Sequence, residues 1–149
     1  MSRYIIGLIS LLTLISCQNK TQLFPMNNII IKGKAITVET ASTSEARMKG
    51  LMEREKLARD SGMLFIFPEE DHQRFWMKDT LIPLSIAFIK TDGTISQIEP
   101  MQPQTENAVW SLAPVKYALE MNQDWFDKNN VKSGDKVILP EEIRNIRAE

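Results

Sequence analysis

Leu84-Ser85-Ile86-Ala87-Phe88-Ile89-Lys90-Thr91-Asp92-Gly93-Thr94-Ile95-Ser96-Gln97-Ile98 is the stretch that decides the fold class. Its first six residues are apolar except for Ser85, and their branched and aromatic side chains suit a pleated, packed strand. Asp92-Gly93 is the strongest hairpin signal in the chain, because turns joining antiparallel strands need a positive φ that glycine adopts without steric cost. Ile95 to Ile98 then closes a hairpin.

Reading outward, the neighbouring segments repeat this pattern. Upstream, Gly62 opens a strand over Met63 to Phe67 that Pro68 is expected to stop, followed by a charged turn over Glu69 to Gln73 and extended structure from Phe75 to Met77. Ile29 to Thr40 reads as strand broken at Lys32-Gly33-Lys34. Downstream, Gln102 to Ala108 is a loop, Tyr117 to Met121 a strand, and Gly134-Asp135 turns the chain into a last strand over Lys136 to Leu139. Ser42 and Glu45 stand at capping-box spacing, predicting a helix from about Thr43 that buries Met48, Leu51 and Met52 and is weakened by Gly50. Asn122 is expected to cap a short helix holding Trp125 and Phe126. Short strands punctuated by turns predict a mainly β chain: a compact antiparallel sandwich or barrel-like single domain over residues 28–140, with one or two short helices. Residues 141–149 read as a charged tail.

The amino terminus has a different logic. Arg3 gives a positive start, and Tyr4 to Leu14 is an apolar run too short to span a bilayer core of about 30 Å as a helix. Leu14-Ile15-Ser16-Cys17 resembles the lipobox of bacterial lipoproteins, in which the cysteine thiol receives a diacylglyceryl group. Residues 1–16 are therefore expected to be a removable signal peptide, Cys17 the lipid acceptor, and residues 17–27 a tether. This places an exported, membrane-anchored domain facing the periplasm or the cell exterior. Removing residues 1–16 takes away Arg3 alone among charged side chains, moving the net charge from −1 to −2. Such a balance gives no basic footprint for nucleic acid. Cys17 is also the only cysteine, so no disulfide and no zinc-thiolate cluster is expected, and the fold must rely on its core.

Several motifs in fixed order carry a family resemblance. They are Val38-Glu39; Gly50-Leu51-Met52 with Arg54; Gly62 to Phe67; Phe75-Trp76-Met77-Lys78-Asp79-Thr80; Ile82-Pro83-Leu84; Ala87-Phe88-Ile89; Asp92-Gly93; Leu119-Glu120-Met121-Asn122; Trp125; and Gly134-Asp135. Spread from about Ile36 to Leu139, they resemble the domain-of-unknown-function 192 family. The resemblance implies a compact, mostly β fold of the sandwich type, often exported or membrane-attached, and carries no activity with it. This chain departs from the family's usual pattern with Asp79 in place of asparagine and Ser85 in place of aspartate.

The residues that could carry chemistry are polar groups set into apolar strands. Alternation puts Trp76, Lys78 and Thr80 on one face of their segment and Phe75, Met77 and Asp79 on the other. Glu120 interrupts an apolar strand, and Ser85 and Ala87 leave space on theirs. Arg54, Trp76, Lys78, Asp79, Ser85 and Glu120 are the candidate ligand-binding residues, although Arg54 with Glu120 reads first as a structural ion pair tying the helical segment to the sheet. Trp76 and Trp125 read more readily as core anchors than as ligand platforms, and the eight methionines as pliable packing. His72, the only histidine, lies in the charged Glu69–Gln73 turn, without the convergent spacing of a metal site or a serine nucleophile elbow near it. No catalytic residue, metal or cofactor is assigned. The expected function is a non-catalytic envelope module binding a small molecule, glycan or peptide, with the membrane as partner through Cys17. The alternatives are an envelope hydrolase using Asp79 and Glu120, and an assembly factor that binds partners by strand addition.

Overall fold

A computed structural model describes residues 24–149. The expected leader and Cys17, the expected lipid acceptor, lie outside the described residues. The strands are β1 (Met26–Ile31), β2 (Lys34–Ala41), β3 (Ser61–Asp71), β4 (Arg74–Phe75) and β5 (Leu84–Ile89). They continue with β6 (Ile95–Met101), β7 (Val109–Trp110), β8 (Val115–Asn122) and β9 (Val137–Ile138). Three short helices, α1 (Ser44–Lys49), α2 (Trp125–Lys128) and α3 (Glu141–Arg144), complete the described elements. The mainly β reading holds.

Seven strands form one sheet in the order β6-β5-β8-β3-β2-β1-β9, while β4 pairs with β7 in a second, two-stranded sheet. The expected hairpin joins β5 to β6, and Gly93 takes φ +83° at its turn, where an added Cβ would lie 2.5 Å from the Val137 carbonyl oxygen. Lys32 and Gly33 both take positive φ between β1 and β2, as a two-residue hairpin turn requires. One pair departs from the antiparallel pattern: β2 and β3 run parallel, since the chain between them crosses over through α1. The sheet curls until its ends meet. Thr94 bridges Lys136, the Ile95 N–H donates to the Asp135 carbonyl at 2.9 Å, and the Val137 N–H donates to Gly93 at 2.8 Å. Lys136 also donates to the Asp92 carboxylate at 2.7 Å and, with Thr94, holds its pKa well below the usual carboxylate range.

Opposite faces of the strands feed two hydrophobic clusters. The first lies inside the curl and takes residues of one parity, among them Ile36, Leu64, Ala87 and Leu119, with Trp125 and Phe126 of α2 closing it. The second takes the other parity from the central strands, including Met63, Phe65, Ile86, Phe88 and Ala118, and is covered by α1 and the loop before β5.

Five boundaries differ from the sequence expectation for local reasons. Pro68 does not stop β3: the register against β8 shifts between Ile66 and Asp71, so the proline sits where the ladder asks for no N–H. Thr43, not Ser42, caps α1, its hydroxyl accepting from the Ala46 N–H at 3.1 Å. Gly50 then ends the helix at φ +46°, leaving Met48 76% exposed and giving the buried face to Ala46. Asn122 does not cap α2; its amide donates to the carbonyls of Leu57 and Ala58 at 3.2 and 3.0 Å. Residues 141–149 are no tail, because α3 buries Ile143 completely and Ile146 and Ala148 pack on the first cluster. At the other end of the domain, the expected tether yields to strand at Met26.

Candidate functional site

The middle of β8 places Glu120 between Met63 of β3 and Ile86 of β5, on the face of the second cluster. Its side chain points among apolar neighbours because strand alternation leaves it no other direction. Glu120 is only 5% exposed, and no described group donates to its carboxyl or pairs with it. No side-chain oxygen sealed from solvent goes without a partner among the described residues, so this unbonded carboxyl opens onto a cleft. Loss of hydration disfavours the charged form and pushes its pKa up to about 8, so Glu120 is mostly a neutral acid, and a proton donor, at pH 7.

The cleft has a volume of about 550 Å³ and runs between α1 and the loop after β4. Phe75 forms a wedge in its wall, meeting Phe65, Phe88 and Phe67 edge to face with ring centroids at 5.0, 5.8 and 6.2 Å. The loop is braced by backbone bonds: Met77 N–H to Thr105 at 2.9 Å, Gln104 N–H to Thr80 at 3.1 Å, and Glu53 N–H to the Asp79 carbonyl at 2.8 Å. Asp79 takes φ +53°, a left-handed conformation that asparagine and aspartate accept better than other side chains. At the mouth, Trp76 is 41% exposed and carries cations against its ring, Arg74 at 5.5 Å and Lys78 at 5.8 Å from the centroid. Arg74 also lies 5.8 Å from the Trp110 ring, opposite it across the β4–β7 pair.

Four of the six candidate residues, Trp76, Lys78, Asp79 and Glu120, line this cleft, and two do not. Arg54 pairs with Glu39 of β2 at 2.6 Å, so the expected Arg54–Glu120 ion pair is absent. Ser85 shares the parity of Ala87 and Ile89 and faces the first cluster, away from Glu120. Arg74 and Arg47 were missed. Extending the alternation of Trp76 and Lys78 back by two residues would have found Arg74; no spacing signal marks Arg47. His72 turns its Nδ1 to the Ser111 carbonyl at 3.0 Å. Trp125 is the expected core anchor, 4% exposed, with its indole N–H donating to Asp60 at 2.9 Å. Among the described residues, no three His, Cys, Asp or Glu side chains converge as metal ligands would, and no helix is long and apolar enough to cross a membrane.

A protein-family model, DUF192 (Uncharacterized ACR), matches residues 27–139. Two of the crystal structures similar to this chain illustrate the likeness. One is a candidate transcription regulator from Sinorhizobium meliloti 1021, with 37% identity, a TM-score of 0.69, and coverage of 74% of this chain and 88% of that one. The other is a protein of unknown function from Novosphingobium aromaticivorans DSM 12444, with 31% identity, a TM-score of 0.72, and coverage of 76% and 85%. None of the curated proteins matches the chain.

Proposed function

The chain belongs to the DUF192 family, and we propose that its domain is a lipid-anchored, non-catalytic binding module of the bacterial cell envelope that holds a small molecule, glycan or peptide in the Glu120 cleft. One observation carries this reading: a buried carboxyl without a partner at the floor of an aromatic-walled cleft. A carboxyl set among apolar side chains but open to a cleft can bond a ligand without first breaking a bond inside the protein. A mostly apolar hollow with a few convergent polar groups is also the ordinary form of a small-molecule site. The near-neutral charge of the chain disfavours nucleic acid as the ligand.

A thermal-shift screen of sugars, amino acids and organic acids tests the reading. A ligand present at about 100 times its Kd stabilises by roughly 2.7 kcal/mol. Such a ligand should raise the melting temperature of the parent and lose its effect on Trp76→Ala. If every compound that stabilises the parent stabilises Trp76→Ala equally, the cleft is not the site. For the anchor, Cys17→Ser should abolish acyl-chain labelling and leave an unprocessed precursor; unchanged labelling would remove the lipoprotein from the proposal.

A second reading, an envelope hydrolase, draws on the raised pKa of Glu120, which would keep a general acid protonated near neutral pH in the same cleft as Asp79. Turnover of a screened ligand, lost in Glu120→Gln while binding persists, would favour it. Strand addition is disfavoured because the two ends of the main sheet are tied to each other at Thr94 and Lys136.

A further inference from the structure

We propose that the cleft selects an organic carboxylate: the anion on the Arg74 guanidinium at the mouth, an apolar body against the Phe75 wall, and an uncharged hydrogen-bonding atom at Glu120. The inference rests on the binding-module reading and names its ligand class.

The charges around the cleft are lopsided. Arg47, Lys49, Arg74 and Lys78 line it against only Asp79 and Glu120, in a chain whose net charge is −1. Two of the four cations are already answered: Lys49 is paired with Glu53, and Lys78 lies 3.9 Å from Glu106. Arg47 donates to the backbone oxygens of Ser42 at 2.8 Å, Ile66 at 3.0 Å and Glu149, which fixes it as part of the wall. Arg74 is different. Among the described residues it makes no hydrogen bond and no ion pair, yet it is positioned, with the Trp76 and Trp110 rings at 5.5 and 5.8 Å. A guanidinium held by aromatic rings keeps its planar fork of donors open, and that fork matches the two oxygens of a carboxylate.

The floor of the cleft points the same way. A cationic ligand would have to pass Arg74 and Lys78 to reach Glu120. An anion is drawn in by those residues, and a protonated Glu120 neither repels it nor demands a counter-charge. Between mouth and floor the wall is Phe65, Phe67 and Phe75 with Met48, Leu51 and Met52, which suits an aromatic or branched body.

The test uses three probes that share a ring system and differ in charge: 2-naphthoate, 2-naphthamide and 2-naphthylmethylammonium. The full chain is held in phosphatidylcholine nanodiscs and titrated by calorimetry, with empty nanodiscs as the blank. Naphthoate should bind about tenfold more tightly than naphthamide, and the ammonium should bind more weakly than either. Arg74→Gln should weaken naphthoate binding much more than naphthamide binding and so abolish the preference, while Arg74→Lys keeps part of it. The advantage of naphthoate should shrink as salt is raised. Equal affinity for naphthoate and naphthamide, tightest binding of the ammonium, or equal loss of all three probes in Arg74→Gln would overturn the carboxylate assignment and leave the binding module standing. Failure of all three probes to bind the parent would also overturn the carboxylate assignment, and the binding module itself would fall only if the thermal-shift screen found no ligand that depends on Trp76.

Discussion

On one face of the curled sheet, Trp125 is 4% exposed and donates its indole N–H to Asp60; on the other, Glu120 is 5% exposed and has no partner. The same central strands supply both faces, since alternate residues of β3, β5 and β8 feed the two clusters. The first face closes on itself. Its polar edge is answered by Lys34 and Trp125, which together hold the Asp60 carboxyl below the usual carboxylate range. The second is closed only in part, by a six-residue helix and a loop, and the gap between them is the cleft. Burial alone therefore does not separate scaffold from site in this molecule. What separates them is whether a buried polar atom is bonded within the protein or left facing a cavity.

The largest effect expected from this contrast is on pH dependence. The folded-state pKa of Glu120, pushed up to about 8, lies above the ordinary glutamate value of 4.5. Below 4.5 both the folded and unfolded states hold the proton, and burial carries no ionisation penalty. Between 4.5 and 8 only the unfolded chain releases it, so stability falls as pH rises, levelling off above about 8, for a total of roughly 4–5 kcal/mol. Glu120→Gln removes this contribution. Denaturant melts at pH 4.5, 7 and 9 should show the variant gaining on the parent at each step. Parallel profiles would mean that Glu120 is ionised and has a partner, and the contrast between the faces would fail.

Comparing two tryptophans sharpens it next. Trp125→Ala removes a filled position in the closed cluster together with its bond to Asp60 and should cost about 3–4 kcal/mol. Trp76→Ala, at the mouth of the cleft, should cost about 1 kcal/mol or less in the same melts. Similar losses would show that Trp76 supports the fold. A smaller effect is expected at Gly62, which lies opposite Met121 across β3 and β8. A Cβ there would lie 2.4 Å from both the Glu120 carbonyl oxygen and the Met121 sulfur. Gly62→Ala should destabilise by about 2 kcal/mol, and if the displaced backbone is that of Glu120, ligand affinity should fall as well.

The strands were legible because alternation and turn residues are local signals, as at Asp92-Gly93. Glu120, Trp76 and Lys78 stood out for a similar reason, as polar or aromatic residues placed within apolar runs. The partner of Arg54 was not legible. Glu39 and Glu120 are both carboxylates on strands, and choosing between them depends on the parallel β2–β3 pairing that a crossover imposes. Ser85 was misplaced because parity says which residues share a face but not which face holds the cleft. Ile143, Ile146 and Ala148 were hidden by charged neighbours, although the spacing of the two isoleucines is helical.

Asp79, in the loop that roofs the open face, should show the smallest effect, and it separates a backbone requirement from a chemical one. At φ +53° its backbone is left-handed, its carbonyl accepts from Glu53 at 2.8 Å, and its side chain is exposed. A left-handed residue costs roughly 1–2 kcal/mol for most side chains and less for asparagine and aspartate, whose short polar groups bond locally. Asp79→Asn should therefore leave stability within about 0.5 kcal/mol of the parent, whereas Asp79→Ala should lose about 1 kcal/mol, both read in denaturant melts. If the carboxylate takes part in binding, Asp79→Asn should still alter ligand affinity, because it changes charge at the cleft without changing the backbone. If it serves only the turn, Asp79→Asn should be silent in both measurements. An Asp79→Ala chain as stable as the parent would show that the loop does not depend on this side chain, and its backbone bonds with the Phe75 wedge would then suffice to hold the open face.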